Sequence, residues 1–551
     1  MKTENNQRNN QSFVRKWIPM AVLSLALLII IVDTTVLNVS LKNISTDLKT
    51  NLVGLQWVIS AYSLTLAALT ITGGRLGDLY GRKKMFMIGA VIFAIGSFIT
   101  SISGSVGSMI IGESIIEGIG AALMMPATAS LLVSTYKGRD RGIAFGIWGG
   151  IAGAASAIGP ILGGFLTTHY SWRWAFRINI FVAIIILIGS FLIAESRDKT
   201  EKDELDFFGV FLSSVGLLAL IYGIIEASTF GWWGAKAPFE LLGHPFAPFG
   251  LSITPIAILV GIILLTGFAL WQQKLEKNNH TPLVSMHLLT NRQFTSGMMV
   301  VTFLSLGMVG MVFAVPVFLQ SVRNLNAFNT GLALLPMSLA MLFVAPASAM
   351  LNKYLTAKRV IQIGLCFTVI ASFVLHFSLT ASATAATLAP GLILFGVGMG
   401  MVMAQASNLT LSAVSVNQAG EASGVNSTMR QVGSSFGTAI IGAVLLTTVT
   451  TSLTSGIKSS SVIPENIKSV IASEVAKQGS AIELNGLNQE KDAPRLPPAI
   501  SKEIVKITHE ASADGSSKAI LYTGFFSIVA LVVSLALPNV KDLEAHSRTK
   551  L

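Results

Sequence analysis

Charge is what this sequence has least of. Of 551 residues only 12% are Asp, Glu, Lys or Arg, while 52% are hydrophobic. A soluble chain carries about a quarter charged residues, so a water-facing globular protein is excluded. Cysteine is almost absent: Cys366 is the single one, which rules out an internal disulfide and a cysteine metal site. It lies in an apolar run and reads as a small buried residue. A nucleotide fingerprint is also lacking. The stretch "GRLGDLYG" from Gly74 has no phosphate-loop lysine and follows no strand. No Ser-His-Asp set or metal-ligand spacing occurs, so ATP-driven work and membrane-bound catalysis are both disfavoured.

What the chain has is long apolar runs. Fourteen of roughly 20 residues recur between positions 17 and 537, each long enough to span ~30 Å of hydrocarbon as a helix. None alternates with the period of a membrane β-barrel, and lipid admits only helices or closed barrels. The expected class is an all-α membrane protein with fourteen transmembrane helices. The first run is too long for a cleavable signal peptide.

The formal charge of +11 invites a nucleic-acid reading, but its distribution opposes one. With the N-terminus inside, the inner segments hold 24 of the 38 Lys and Arg, against 6 in the six short outer connections. That bias is the positive-inside rule and places both termini in the cytoplasm. Two segments fall outside the pattern. Residues 196–206, "SRDKTEKDELD", form a charged inner linker, and residues 451–518 form the one large soluble insert. Within it Ile467, Val470, Ile471 and Val475, and later Ile500, Ile504 and Ile507, keep helical spacing. Two short amphipathic helices are expected there, on the outer face, parted by "KDAPRLPP".

Between the second and third runs stands "GGRLGDLYGRKK", Gly73 to Lys84. Gly74, Gly77 and Gly81 permit close helix approach and unusual dihedrals. Arg82, Lys83 and Lys84 hold the cytoplasmic side. Asp78 is the odd residue, because a topology anchor needs no acid. A carboxylate there can accept from the N-terminal amides of a neighbouring helix or pair with an arginine. In the fifth run Gly146 and Ala155 precede "GPILGG", Gly159 to Gly164. Small residues at four-residue spacing pack helices closely, and Pro160 kinks the run.

The inner loop resembles that of the major facilitator superfamily, and Gly146, Gly159, Pro160, Gly163 and Gly164 resemble the antiporter motif of its exporters, with Ala155 where that pattern has glycine. The fourteen runs, with "VDTTVLNVSL", "SWRWAFRIN", "PLVSMHLLTNRQF", "NTGLALLPMSLA" and "GEASGVNSTMRQVGSSFG", resemble the fourteen-span drug:proton antiporters across nearly all the chain except 451–518. The resemblance implies a six-helix bundle over 1–195, a linker with two inserted helices over 196–295, and a second six-helix bundle over 296–551 that includes the insert. It also implies a substrate cavity between the bundles at mid-membrane.

Asp33 interrupts "LLIIIVDTTVLNVS" nine residues before Lys42, ~13 Å of helix. If Lys42 marks the outer surface, Asp33 sits near mid-depth. An acid there costs roughly 2.5–3.5 kcal/mol on insertion scales, so it should face a water-filled cavity or a partner such as Asn38 or Thr35. The resemblance gives it a part in proton coupling and cation binding. In the fourth run Glu113 and Glu117 share a helix face and reach about the same depth. The family pattern has an arginine where this chain has Ser114, and glutamine where it has Glu117, so the usual relay is in doubt and the local charge sign changes.

The remaining candidates are weaker. Arg430 opens the thirteenth run and is a candidate partner for Asp78, so Gly74, Asp78, Gly81, Arg82 and Arg430 are the expected gate. Glu226 ends the seventh run at its outer edge and should reach water. His376 reads as a packing residue. Asn38, Trp57, Tyr62, Trp148 and the methionines from Met399 to Met403 are expected to line the cavity. The expected function is proton-coupled export of amphipathic, cationic or lipophilic drugs across the cell membrane. The expected protein is a monomer in the bilayer, with protons and a small substrate as partners. It needs no cofactor, no metal and no nucleic acid. The rivals are export of a lipid or endogenous metabolite, and a transport-dead sensor.

Overall fold

The computed structural model describes residues 2–50, 52–197, 205–235, 239–241, 244–245, 248–278, 280–465, 468 and 497–539. In it fourteen helices are long and apolar enough to cross a membrane. They are α1 (Lys2–Asp47), α2 (Leu52–Tyr80), α3 (Arg82–Ser101), α4 (Val106–Thr135), α5 (Gly138–His169), α6 (Arg173–Ser190), α7 (Phe207–Phe230), α8 (Ile253–Lys277), α9 (Arg292–Ser321), α10 (Ala327–Leu351), α11 (Ala357–Ser378), α12 (Ala385–Leu411), α13 (Ala419–Ser459) and α14 (Pro498–Ser534). The chain is an all-α, multi-pass membrane protein, as the apolar runs predict. Among the described residues the only strands are Glu240–Leu241 and His244–Pro245, a minimal antiparallel pair between α7 and α8.

Short polar side chains set where helices begin. Ser105 and Thr384 form capping boxes at α4 and α12. Asp206, Ser252, Asn291, Asn326 and Thr356 each accept from a first-turn amide of α7, α8, α9, α10 and α11. These amides have no helical partner of their own. Prolines inside α5, α10 and α12 remain helical, because neighbouring helices enclose the freed backbone.

In the first half α1 packs on α5 and α6, α3 on α4 and α6, and α2 on α4. In the second, α9 packs on α12, α13 and α14, α10 on α12, and α11 on α12 and α14. Two seams join the halves: α5 against α10 and α12, and α2 against α13. The first is close because Gly146 lies against Pro346 and Gly150 against Leu342. Phe86, Phe93 and Phe145 fill the core of the first half, and Phe318, Phe395 and Leu365 that of the second. The inserted pair α7–α8 packs on itself, and α7 also touches both α2 and α13. At the opposite end from Asp78, Asp47 accepts from Trp172 Nε1 (3.0 Å) and from Arg173, whose second nitrogen donates to Ser103 O (2.9 Å). Arg173 holds the Asp47 carboxyl below its usual range.

Several expectations change at the helix ends. The helix α13 begins eleven residues before Arg430, so that arginine sits three turns in and not at the opening. Hydropathy misses these turns because "GEASGVNST" is polar yet buried against α2. The Ile500, Ile504 and Ile507 stripe is not a separate short helix but the start of α14, where it packs on Leu453 and Ile457 at the end of α13. The stripe from Ile467 to Val475 lies outside the described residues. Glu226 is buried and not in water, because α7 continues one turn beyond it to Phe230. Cys366 is exposed on the outer surface of α11 and not packed inside. Lipid-facing and packed positions are equally apolar, so sequence cannot separate them.

Ser459, exposed in the last turn of α13, tests the orientation that the charge bias predicts. In a Cys366→Ser background, Ser459→Cys should react with an impermeant maleimide added to intact cells. Labelling only after permeabilisation would reverse the assigned sidedness.

Candidate functional site

The three acids that interrupt the apolar runs meet. One carboxylate oxygen from each of Asp33, Glu113 and Glu117 lies within 4.8 Å of the other two. All three are buried, both glutamates completely. The middle of α4, Ile110–Glu117, is a π-helix. Its i→i+5 bonding widens the turn, so residues four apart point the same way, and such segments recur at functional sites. The depth arithmetic that places the glutamates level with Asp33 agrees with this placement.

Asn179, on α6, supplies the donors. Its Nδ2 reaches Asp33 Oδ1 (2.7 Å), Glu117 Oε1 (3.2 Å) and Ser97 Oγ (3.3 Å). Ser97 Oγ in turn donates to Glu117 Oε1 at 2.6 Å. No amide, hydroxyl or cation among the described residues donates to either oxygen of Glu113. Among the described residues the second oxygens of Asp33 and Glu117 have no amide, hydroxyl or cation donor either. Ser114, at the position of the family's arginine, donates to Val58 O (2.7 Å) and adds no charge. Among the described residues no lysine or arginine forms an ion pair with the trio. Two unit charges 4 Å apart repel by ~4 kcal/mol at an effective dielectric constant of 20, so these three do not all ionise together. Such a site can hold and release protons, and its oxygens are also the ligand type that hard cations take. Asn179 is absent from the sequence-level candidates, although it closes the quoted "SWRWAFRIN". Of the expected partners of Asp33, Thr35 bonds the backbone of its own helix instead, and the side chain of Asn38 lies outside those described.

Asp78 realises both roles foreseen for it. Oδ1 accepts from Arg82 Nη2 (2.6 Å), Arg82 Nε (2.9 Å) and Gly420 N (3.0 Å), and Oδ2 accepts from Glu421 N (2.7 Å). The two amides are the first turn of α13, where a carboxylate also meets the positive end of the helix dipole. Arg82 goes on to Val416 O (2.5 Å), Asn417 O (2.9 Å) and Ser196 Oγ (3.0 Å). A Cβ on Gly74 would lie 2.4 Å from Gly420 O, so only glycine lets α2 and α13 approach. Gly81, with φ +110°, makes the turn into α3. Arg430 does not join this group: it donates to Met125 Sδ at 3.1 Å. Its position three turns along α13 removes it from the amides that Asp78 caps.

The remaining candidates scatter. Gly159 and Gly163 lie against Thr35 and Val36 of α1, Gly164 against Phe328, and Pro160 beside Gly331, so this motif packs α5 between α1 and α10. Tyr62 is buried on α2, and among the described residues its hydroxyl has no hydrogen-bond partner. Trp148 is buried edge-on to Phe145 with its indole N–H unbonded. Trp57 stands apart, stacked on Tyr222 of α7. His376 bonds Ser517 Oγ at 2.7 Å and is a packing residue, as expected.

If Asn179 solvates the trio, Asn179→Ala leaves Asp33 Oδ1 without its donor and Glu117 Oε1 with Ser97 alone. Stability should fall by ~1–3 kcal/mol, read as a lower melting temperature of the detergent-solubilised protein. Unchanged melting would show that the amide bears no such load.

The chain is similar in sequence to known proteins and in fold to solved structures. The chain is 26% identical over 527 residues to the tetracenomycin C resistance and export protein of Streptomyces glaucescens, covering 95% of this chain and 91% of that one. It is 27% identical to the multidrug transporter protein MdtP of Bacillus subtilis, covering 92% and 90%. Among structures, the proton:xylose symporter XylE superposes with a TM-score of 0.58 at 12% identity, over 97% of this chain and 99% of that one. A bacterial homologue of the human lysosomal transporter Spinster gives 0.52 at 13%, over 95% and 98%. At such identity the structures speak for the fold alone. The family model described as Major Facilitator Superfamily matches residues 23–438, and with that match the chain belongs to the Major Facilitator Superfamily.

Proposed function

We propose that the protein exports amphipathic drugs, cationic or lipophilic, from the cytoplasm in exchange for protons. The observation that carries this reading is the buried trio Asp33, Glu113 and Glu117. Three acids and no basic residue make a site that must take up positive charge to become neutral. Protons and a cationic substrate therefore compete for it, and competition at one site is exchange. The proton gradient supplies the energy, and no cofactor takes part. Curated relatives named for resistance and export of tetracenomycin C and for multidrug transport support the substrate class.

Asp33 is the exchange residue in this reading, and the glutamates set the local field. Tyr62 and Trp148 offer aromatic faces with free polar atoms to a substrate. Met399 and Met403, both buried on α12, offer adaptable surface from the second half. The Asp78 cluster holds the halves together at one end, which the charge bias assigns to the cytoplasm. Its release there and re-formation constitute the gate of alternating access. A protomer holds both site and gate, so the monomer is the working unit.

Asp33→Asn should abolish gradient-driven export of every substrate. Glu113→Gln and Glu117→Gln should weaken export of cations and spare neutral compounds, because their contribution is electrostatic. Asp78→Asn should reduce transport while leaving membrane insertion intact. The direct check is proton release on adding a cationic dye to detergent-solubilised protein. Equal release from wild type and Asp33→Asn, or none from wild type with a dye shown to bind, defeats the exchange role.

A further inference from the structure

The inserted helices α7 and α8 and the motif "PLVSMHLLTNRQF" have no part in the site described above, yet they end in a dense hydrogen-bond relay. Asp206, the cap of α7, accepts from Gly209 N (2.8 Å), Trp271 Nε1 (3.1 Å) and Gln272 Nε2 (2.7 Å). Gln272 is wholly buried on α8 and its Oε1 accepts from Leu283 N (2.7 Å) and Val284 N (3.3 Å). Glu276, one turn further, accepts from Ser285 Oγ (2.8 Å) and Met286 N (2.6 Å). The remaining amide of this stretch, Ser285 N, donates to Glu421 Oε1 at 2.6 Å.

Four consecutive amides, 283 to 286, are thus held by three side chains. Two of those side chains belong to α8 and the third to the first turn of α13. Glu421 is the same residue whose own amide holds Asp78 Oδ2. Leu283 and Val284 are buried in the same apolar cluster as Ala419 and Ala422 of that turn. The other side of the inserted pair grips the first half: Ser214 Oγ of α7 donates to Ala68 O of α2 (3.0 Å), and Tyr222 stacks on Trp57. The pair therefore bridges α2 and α13, the two helices that Asp78 joins.

We propose that Gln272 and Glu421 are positioning residues for the gate. Through the 283–286 segment they fix the first turn of α13 in the orientation that presents its amides to Asp78, so that the inserted pair favours the closed state at that end. The inference rests on the reading that the two halves separate there during transport.

The test uses the full-length protein in a Cys366→Ser background, with spin labels at Lys137→Cys and Lys353→Cys. Both are exposed positions, on the α4–α5 and α10–α11 connections. Electron–electron distance measurements read the resting distribution. Glu421→Ala and Gln272→Ala should each reduce the short-distance population at least twofold. The double variant should go no further than the stronger single one, because both act through one segment. Glu421→Gln, which keeps an acceptor oxygen, should restore the wild-type distribution. Wild-type distributions in both alanine variants would overturn the inference, and so would a Glu421→Gln protein as open as Glu421→Ala. Failure of the export reading appears elsewhere, as a wild-type distribution that no dye or proton gradient moves, and leaves the comparison among variants intact.

Discussion

Asp78 accepts four hydrogen bonds, two from an arginine four residues away and two from backbone amides more than 340 residues away. A buried ionised carboxylate is tolerated only when its lone pairs are filled by well-placed donors. Here the filling donors come from both halves, so satisfying one charge requires the halves to meet. Gly74 then has to be a glycine, Gly81 has to turn the chain so that Arg82 returns to its partner, and α13 has to begin at Ala419. Removing the acid would leave Arg82 buried with only carbonyls and a hydroxyl.

The trio is organised on the opposite principle. Its acids have too few donors, and Asn179 divides one amide group among three acceptors. Ser114, where the resemblance implies an arginine, donates to Val58 O and brings no charge. On the proposed exchange reading, this local shortage of positive charge is what draws a cationic substrate. Asp78 is satisfied by the fold itself, whereas the trio is left for something outside the fold to satisfy.

Much of this was legible in the amino-acid order. Apolar length counts the spans. Depth along α1 and α4 already puts Asp33, Glu113 and Glu117 at about one level, and the structure brings them together. What remained hidden has a common cause: hydropathy reports what lipid would accept and not what protein covers. The opening of α13 is polar and buried against α2. The Ile500 stripe is half of an interface whose other half, Leu453 and Ile457, falls in the segment read as a soluble insert. Asn179 is one amide in an unremarkable run and gains meaning only from residues on three other helices. The π segment of α4 is equally silent, because nothing in "IIGESIIE" departs from ordinary helical preference.

The distance in sequence between Asp33 and its amide donor has a consequence for how the protein is made. Asn179 follows Asp33 by 146 residues. At synthesis rates of 5–20 residues per second, about 7–30 s separate their emergence from the ribosome. Throughout that interval α1 is in or entering the bilayer with an acid that has no donor, at a cost of roughly 2.5–3.5 kcal/mol on insertion scales. The arrival of α4 adds two further acids and no relief, and only α6 brings the amide. The first bundle therefore has a defined moment of completion during biogenesis. A chain halted before α6 lacks the amide that serves Asp33, and only Glu117 has a donor, from Ser97 of α3.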